Sequence, residues 1–584
     1  MHEDPNVITY FAQTNSRGKQ VPFGIKRKDR ERHMYIIGKT GMGKSTLLEN
    51  LAIQDIRNGE GIAFIDPHGS TADRIMEYVP EHRIKDVLYF APFDMDYPVA
   101  FNVMEDVGYD KRHLVVSGLL SAFRKIWVDA WSARMEYILS NTLLALLEYE
   151  GSTLLDVNRM LINKAFRKKV VENVKDPIVK SFWADEFANY TDRYTQDATP
   201  AIQNKIGQFT SNPLIRNIVG QPKSSFDIRK MMDEKKIIII NLSKGRVGEV
   251  NATLLGSMIV TKIYLAAMSR ADVPAETLKT LPSFYFYVDE FQNFANESFS
   301  DILSEARKYK LRLIIAHQYV EQMEEEVRDA VFGNVGTTIA FRVGPFDAET
   351  LETIFEPQFM ATDLVNLGFA QIYLTLMIDG VGSPPFSATT MAPFDPPPQK
   401  FVDAVLKSSR AQFGKPRVEV EETIKKWNEL EPVETISKPK RDYVPIRKSE
   451  APMQPKPPLQ AAPVIEKKVE TPPVVHQPKK QESRPPERHE PRVHAPKEPP
   501  APPLDGAKSL REALAKVTGQ QFTPAPQHTA PSAGHVPNLK EILHTVAPKA
   551  EAPKPTEPSG LPEDVLRSML AVDEEESQFE KPDK

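Results

Sequence analysis

The sequence contains no cysteine in 584 residues, which removes disulfides, thiolate metal sites and cysteine nucleophiles together and is compatible with a reducing compartment. It also has no apolar run as long as the roughly 18 residues that a membrane helix needs; the richest stretches, residues 236–242 and 311–316, have the length of buried strands. No membrane-spanning segment is therefore expected. The first residues, Met1-His2-Glu3-Asp4-Pro5, lack the basic start and apolar core of a secretory signal, so the expected location is cytoplasmic. A large excess of charge of one sign is missing as well. A formal net charge of -5 gives no global basic footprint, and any nucleic-acid binding is left to a channel or a local patch.

What is present suffices for more than one core: 41% of the residues are hydrophobic, and single cores stop growing near roughly 250 to 300 residues. Composition changes near residue 400. Beyond it lie about 30 of the 50 prolines, among Lys, Glu, Gln and Ala, the makeup of a chain that buries too little apolar surface to fold. Before that point, residues 7–11 and 21–25, on either side of Asn15-Ser16-Arg17-Gly18-Lys19, predict two short strands and a turn. Residues 34–37, a glycine loop, a helix over 45–57 and a strand over 61–66 make an opening βαβ unit. From about residue 98 to 232 strand patterns stop, and apolar residues recur at helical spacing, as in Met135, Ile138, Leu139, Thr142, Leu143 and Leu146. Strands are expected again at 237–242, 284–288, 311–316, 337–343 and 371–378, so an α/β sheet resumes after a helical insertion.

Gly38-Lys39-Thr40-Gly41-Met42-Gly43-Lys44-Ser45 matches G-x-x-x-x-G-K-[ST] and lies between a strand and a helix, the context this motif requires. Its glycines let backbone N–H groups turn toward a β-phosphate, helped by the positive end of the following helix. Lys44 would reach the β- and γ-phosphates, and Ser45 would give its hydroxyl to Mg²⁺. A glycine turn that binds nothing is the plain alternative, and the strand–loop–helix context counts against it. Phe284-Tyr285-Phe286-Tyr287-Val288-Asp289-Glu290 is a hydrophobic strand ending in two acids. Asp289 suits the magnesium shell, and Glu290 can orient and deprotonate a water for attack on the γ-phosphate. Nucleotide kinases and Ras-like GTPases do not usually carry the adjacent glutamate.

Asp66, in Phe64-Ile65-Asp66-Pro67-His68-Gly69, is a rival strand-end acid, but no second acid follows it, and His68 reads more readily as a polar loop residue than as a catalyst. Farther on, Ser304-Glu305-Ala306-Arg307-Lys308-Tyr309-Lys310 leads into a buried strand ending in Ala316-His317-Gln318. The Gln318 amide is placed to sense a γ-phosphate. Arg307 is a candidate arginine finger, with a solvated helix position as its alternative, and Arg342 is the second candidate. Should the substrate be DNA, the loop cations Lys244, Arg246, Lys308 and Lys310 are candidate channel residues for its phosphates, each equally readable as ordinary surface.

In order and spacing these segments, together with Thr46, Val288-Asp289-Glu290-Phe291 and Glu305-Ala306-Arg307-Lys308-Tyr309, resemble the HerA/FtsK superfamily and, within it, the TraD/TraG-like coupling ATPases of type IV secretion and conjugation. The resemblance covers about residues 20 to 400. It implies an α/β fold, a RecA-like P-loop ATPase of the additional-strand class with an all-α insertion, and ATP and Mg²⁺ as cofactors. Gly38, Lys39, Thr40, Gly41, Met42, Gly43, Lys44, Ser45 and Thr46 would bind nucleotide, Gln318 would be the sensor, and Arg307 would be a finger acting in trans. A homo-hexameric ring with DNA in its centre is also implied. The expected organisation is a β element at 1–32, the ATPase at 33–99 and 233–400, the all-α insertion at 100–232 and a disordered proline-rich tail at 401–584. Typical coupling proteins begin with transmembrane helices, which are not seen here, so either recruitment to the inner face of the membrane falls to type IV secretion membrane components or the protein is a soluble relative of them. Two other functions stay open: a VirB-type secretion-assembly ATPase acting on protein or pilus subunits, and a HerA-type translocase in DNA-end repair.

In the tail, Ser509-Leu510-Arg511-Glu512-Ala513-Leu514-Ala515-Lys516-Val517 is echoed by Asn538-Leu539-Lys540-Glu541-Ile542-Leu543-His544-Thr545-Val546 and, more loosely, by residues 564–572. The spacing and the leading capping residue predict short amphipathic helices that fold on a protein partner. Chance similarity in a tail of this composition is the alternative.

Overall fold

The computed structural model describes residues 4–429, apart from 16–19, 106 and 296–297. The three tail repeats and most of the N-terminal turn lie outside the described residues. In chain order the strands are β1 (Ile8–Thr14), β2 (Pro22–Lys26), β3 (His33–Ile37), β4 (Gly61–Asp66), β5 (Val87–Phe90), β6 (Ile237–Asn241), β7 (Phe284–Val288), β8 (Leu311–His317), β9 (Val335–Ala340), β10 (Gln371–Thr375), β11 (Met377–Ile378), β12 (Val381–Gly382) and β13 (Phe386–Thr390). Among the described residues they build an 11-stranded sheet in the order β2-β1-β13-β10-β9-β3-β8-β7-β4-β6-β5, with β11 and β12 as a separate hairpin. Every neighbouring pair from β9 to β5 is parallel, and β10, β13, β1 and β2 extend the other edge antiparallel.

A parallel sheet needs cover on both faces, and the strand sequences are written for it: all of β3, β4, β6, β7 and β8 is buried. Met34, Ile36, Ile62 and Phe64 face one layer, built by α1 (Lys44–Arg57) and α2 (Ser70–Glu77). Tyr35, Ile37, Ala63 and Ile65 face the other. That second layer contains α3 (Arg112–Ile126) and α4 (Ala133–Leu147), the latter started by Ser132, whose Oγ accepts the Met135 N–H at 3.3 Å. Among the described residues no strand occurs between Phe90 and Ile237. The buried side chains of these helices are continuous with those under the sheet, so residues 100–232 do not close a separate core. The helix Glu249–Met268 is long and apolar enough to cross a membrane by length and composition, but it is a core helix, mostly buried in the fold.

Two expected boundaries move. The N-terminal strands are not an element of their own, because β1 pairs with β13 through Ala12 and Thr390 and so continues the main sheet. The edge that receives it, β13, is short and lacks a strong apolar alternation. The expected end of the fold near residue 400 is corrected by the helices Val402–Phe413 and Arg417–Glu429. Val405 is buried, Ser409 Oγ accepts the Tyr89 N–H at 2.9 Å, and the Trp427 indole donates to Asp156 at 3.0 Å. Pro416, which reads as a breaker, sits in the link between the two helices, where a missing N–H does no harm.

Behind the central strands lies a buried ion pair. Arg30 donates to both Asp55 oxygens at 2.6 and 2.8 Å and to the Tyr287 hydroxyl at 3.0 Å, with its guanidinium 3.9 Å from the Tyr285 ring centroid. It joins α1 to β7. Arg30→Met leaves the Asp55 carboxylate buried and unpaired, and urea denaturation is expected to show a loss of about 3–5 kcal/mol. Adding Asp55→Leu should recover much of that loss; no recovery would mean that the pair is not the source.

Candidate functional site

The chain leaves β3 at Gly38 because no side chain fits there: a Cβ would stand 2.5 Å from Phe341 Cβ. Gly43, at φ 118°, hands the loop to α1 in a conformation that L side chains rarely adopt. The Lys39 N–H donates to the Arg342 carbonyl at 2.8 Å, which ties the loop to the end of β9. No side chain caps the start of α1, so its first N–H groups are left open toward the loop, as an anion site requires. Lys44 is buried inside this turn, with Nζ donating to the carbonyl oxygens of Gly38 at 2.6 Å and Lys39 at 3.3 Å. Burial pulls its pKa below the ordinary lysine value, opposed by Glu290 and Asp289.

The strands β3, β8 and β7 end together, with Ile37 opposite His317 and Ile315 opposite Val288. β8 therefore stands between the P-loop strand and the strand carrying the two acids, which is the additional-strand arrangement. Ser45 Oγ donates to Asp289 Oδ2 at 3.3 Å. Asp289 is buried, and its pKa is pushed up to about 6 by burial and then by Asp66 and Glu290, with Lys44 opposing. A hydroxyl beside a carboxylate that is unfavourably placed as an anion suits a divalent cation, whose charge would relieve it.

Glu290 follows in the left-handed region, at φ 49° and ψ 50°, a conformation that costs about 1 kcal/mol for a non-glycine residue. The turn holds it there, since its carbonyl accepts the Asn293 N–H and side-chain amide, both at 2.9 Å. One carboxylate oxygen accepts from the Gln318 amide and the other from the Gln292 amide. Gln318 Oε1 in turn accepts from Thr40 Oγ1 at 2.9 Å. A chain of side chains thus runs Thr40, Gln318, Glu290, Gln292, from the P-loop to the turn after β7. His317, beside it, is buried with Nδ1 3.2 Å from the Tyr35 hydroxyl, and burial, Lys44 and Lys125 pull its pKa down to about 3. It is neutral at physiological pH.

A family model described as the type IV secretion-system coupling protein DNA-binding domain matches residues 19–356, more than half of the chain. The chain belongs to that family. Among solved structures, the unbound bacterial conjugative coupling protein TrwBdeltaN70 is 15% identical at a TM-score of 0.46, over 65% of this chain and 89% of that one. The plasmid coupling protein TrwB in complex with ADP and Mg²⁺ is 15% identical at a TM-score of 0.47, over 68% and 99%. The cytoplasmic domain of the Thermomonospora curvata type VII secretion ATPase EccC is 13% identical at a TM-score of 0.28, over 70% and 32%. No curated protein matches the chain.

The remaining residues singled out in this coupling-protein sequence divide between the two ends of the sheet. Asp66 is near Asp289, but its oxygens accept the N–H groups of His68 at 2.7 Å and of Thr71 and Ala72 at 2.9 Å, so it starts α2; His68 is exposed. Arg342 lies at the P-loop end, through the carbonyl contact to Lys39. Arg307 is exposed at the opposite end, just before β8, whose length separates it from Gln318 by about 20 Å. It cannot serve the Glu290 of its own chain. The four candidate DNA-contacting cations all have partners within the chain: Lys244 on Asn293, Arg246 over the Phe93 ring, Lys308 on Glu305 and Lys310 on the Lys279 carbonyl. Sequence reasoning passed over Gln292, Tyr35 and Lys125. A glutamine two residues after the acid pair is a signal for the first; nothing local marks the other two.

The raised pKa of Asp289 has a sign that can be tested. At and below the unfolded value of 3.8 the penalty is absent; between there and about 6 the native state keeps a proton that the unfolded chain has released, so stability falls as pH rises. Asp289→Asn in metal- and nucleotide-free protein is therefore expected to be stabilised by about 1–3 kcal/mol at pH 8 and by less at pH 5. Urea denaturation at the two pH values checks this, and equal effects at both would rule out the buried carboxylate as the cause.

Proposed function

We propose that this coupling-family protein is an ATP-driven DNA translocase that works as a hexameric ring. The observation that carries this is the meeting of Lys44, Ser45 with Asp289, and Glu290 with Gln318 at one end of three adjacent parallel strands. Lys44 would leave its loop carbonyls for the β- and γ-phosphates, and the open N–H groups at the start of α1 would hold the β-phosphate. Ser45 and Asp289 would hold Mg²⁺, which would neutralise charge on the phosphate oxygens. Glu290 accepts the proton of the attacking water, and Gln318, bonded to it, registers whether a γ-phosphate is present. The site is incomplete in one chain, because Arg307 lies at the far end of the sheet. A neighbouring subunit's copy of that residue supplies the missing cation, which is the argument for a ring.

Lys44→Ala is expected to weaken nucleotide binding, whereas Glu290→Gln should leave binding nearly intact and lower kcat by about 10³-fold or more, because only the second removes a group needed in the transition state. Filter binding and phosphate release read the two. Normal turnover by Glu290→Gln would remove it as the base. Mixing Arg307→Ala with Lys44→Ala protein should restore part of the activity at mixed interfaces; full activity of Arg307→Ala alone would shift the role to Arg342. DNA should raise the ATPase rate at low salt and lose that effect steeply as salt rises. A rate indifferent to single- and double-stranded DNA would instead favour a protein substrate.

A further inference from the structure

The turn after Glu290 is fastened from outside the strands that build the site. It is a tight one, Phe291–Asn293, with Phe291 and Phe294 buried beneath it. Its own N–H groups are used in local bonds, from Phe294 and Ala295 to the Phe291 carbonyl at 2.9 and 3.0 Å. The carbonyls of Gln292 and Ala295 are left to another partner. That partner is Lys125, near the end of α3, whose Nζ donates to the Gln292 carbonyl at 2.6 Å and also to the Ala295 carbonyl. A second lysine, Lys244 after β6, donates to Asn293 Oδ1 at 2.8 Å.

A half-buried lysine whose acceptors are two main-chain carbonyls is a mechanical tie more than an electrostatic one. Burial pulls the Lys125 pKa down to about 8, with the Glu324 carboxylate opposing, so the ammonium stays charged near neutral pH. It touches neither the P-loop nor the two acids. What it holds is the backbone of Gln292, and the Gln292 side chain holds one oxygen of the Glu290 carboxylate.

We propose that Lys125 is a positioning residue for Glu290, acting through the Phe291–Asn293 turn and Gln292. The proposal rests on the reading of Glu290 given above. With the tie in place, Gln292 keeps one Glu290 oxygen occupied and leaves the other to face Gln318. Without the tie, the turn is held by fewer bonds and the carboxylate loses its aim, which lowers turnover and leaves nucleotide affinity unchanged.

The test is a double-mutant cycle in the full chain, measuring kcat, KM and affinity for a non-hydrolysable ATP analogue for wild type, Lys125→Met, Gln292→Ala and the double variant, with Lys125→Arg as the conservative exchange. Lys125→Met and Gln292→Ala should each lower kcat by about tenfold while analogue affinity stays within about twofold, and Lys125→Arg should restore most of the rate. The double variant should be no slower than the slower single one, because both act along one path. An unchanged kcat in Lys125→Met, multiplied losses in the double variant, or a loss of affinity in step with kcat would each overturn the proposal. Should Lys125→Met fail to fold, Lys125→Ala, which also removes the donor but leaves room for water at the two carbonyls, takes its place with the same outcomes. Absence of turnover in the wild-type protein would sink the ATPase reading and this one together; turnover in wild type and in Lys125→Met alike would sink this one alone.

Discussion

The register of the parallel β3–β8–β7 ladder is the constraint on which the rest depends. Side chains alternate along a strand, so a slip of one residue would exchange the faces of all of them, moving Tyr35 and Ile37 into the layer that takes Met34 and Ile36. Because both faces are covered, neither exchange is tolerated: Ile37 is held level with His317, and Val288 level with Ile315 two residues earlier, so that the residues after Val288 reach the level of His317. The P-loop, Gln318 and the acid pair then emerge side by side from segments far apart in the chain.

The site built on that ladder is electrostatically uncomfortable. Asp289 is disfavoured as an anion, Lys44 is disfavoured as a cation and is held on carbonyl oxygens of its own loop, and Glu290 occupies a left-handed backbone position. The two charge penalties would be eased by a phosphate chain with a divalent cation, so the same features that cost stability favour ligand. The surrounding fold offsets the cost with packed apolar layers on both faces of the sheet. Rigid support on one side and local strain on the other meet at the turn after Glu290, which Lys125 ties to the helical layer.

The P-loop, the acid pair and Gln318 were legible in the sequence because their signals are local: fixed spacings next to apolar runs whose length marks a buried strand. Arg307 was legible as a basic residue before a strand, yet its role depends on which end of the sheet that position occupies. The N-terminal strands were read correctly as strands and wrongly as separate, since their partner β13 is about 375 residues away and short. The helices after residue 400 were hidden by the proline-rich composition of the chain beyond them, and their evidence is tertiary: Val405 buried, Ser409 on Tyr89 and Trp427 on Asp156. Lys125 could not have been found at all, because a lysine late in an amphipathic helix looks the same whether its ammonium meets water or a carbonyl.

By itself, then, the sequence determined the fold class, the glycine loop and the place of the acid pair at the end of a buried strand, all of which follow from residue type and short-range spacing. Tertiary structure decided the strand order that sets β8 between the P-loop and the acids. It also decided the helper role of Asp66 at the start of α2, and the placing of Arg307 out of reach of its own site. The physical reason is the same in each case: a residue's type sets which bonds it can make, but hydrogen-bond register and burial, which belong to the packed sheet as a whole, set which partners are within reach.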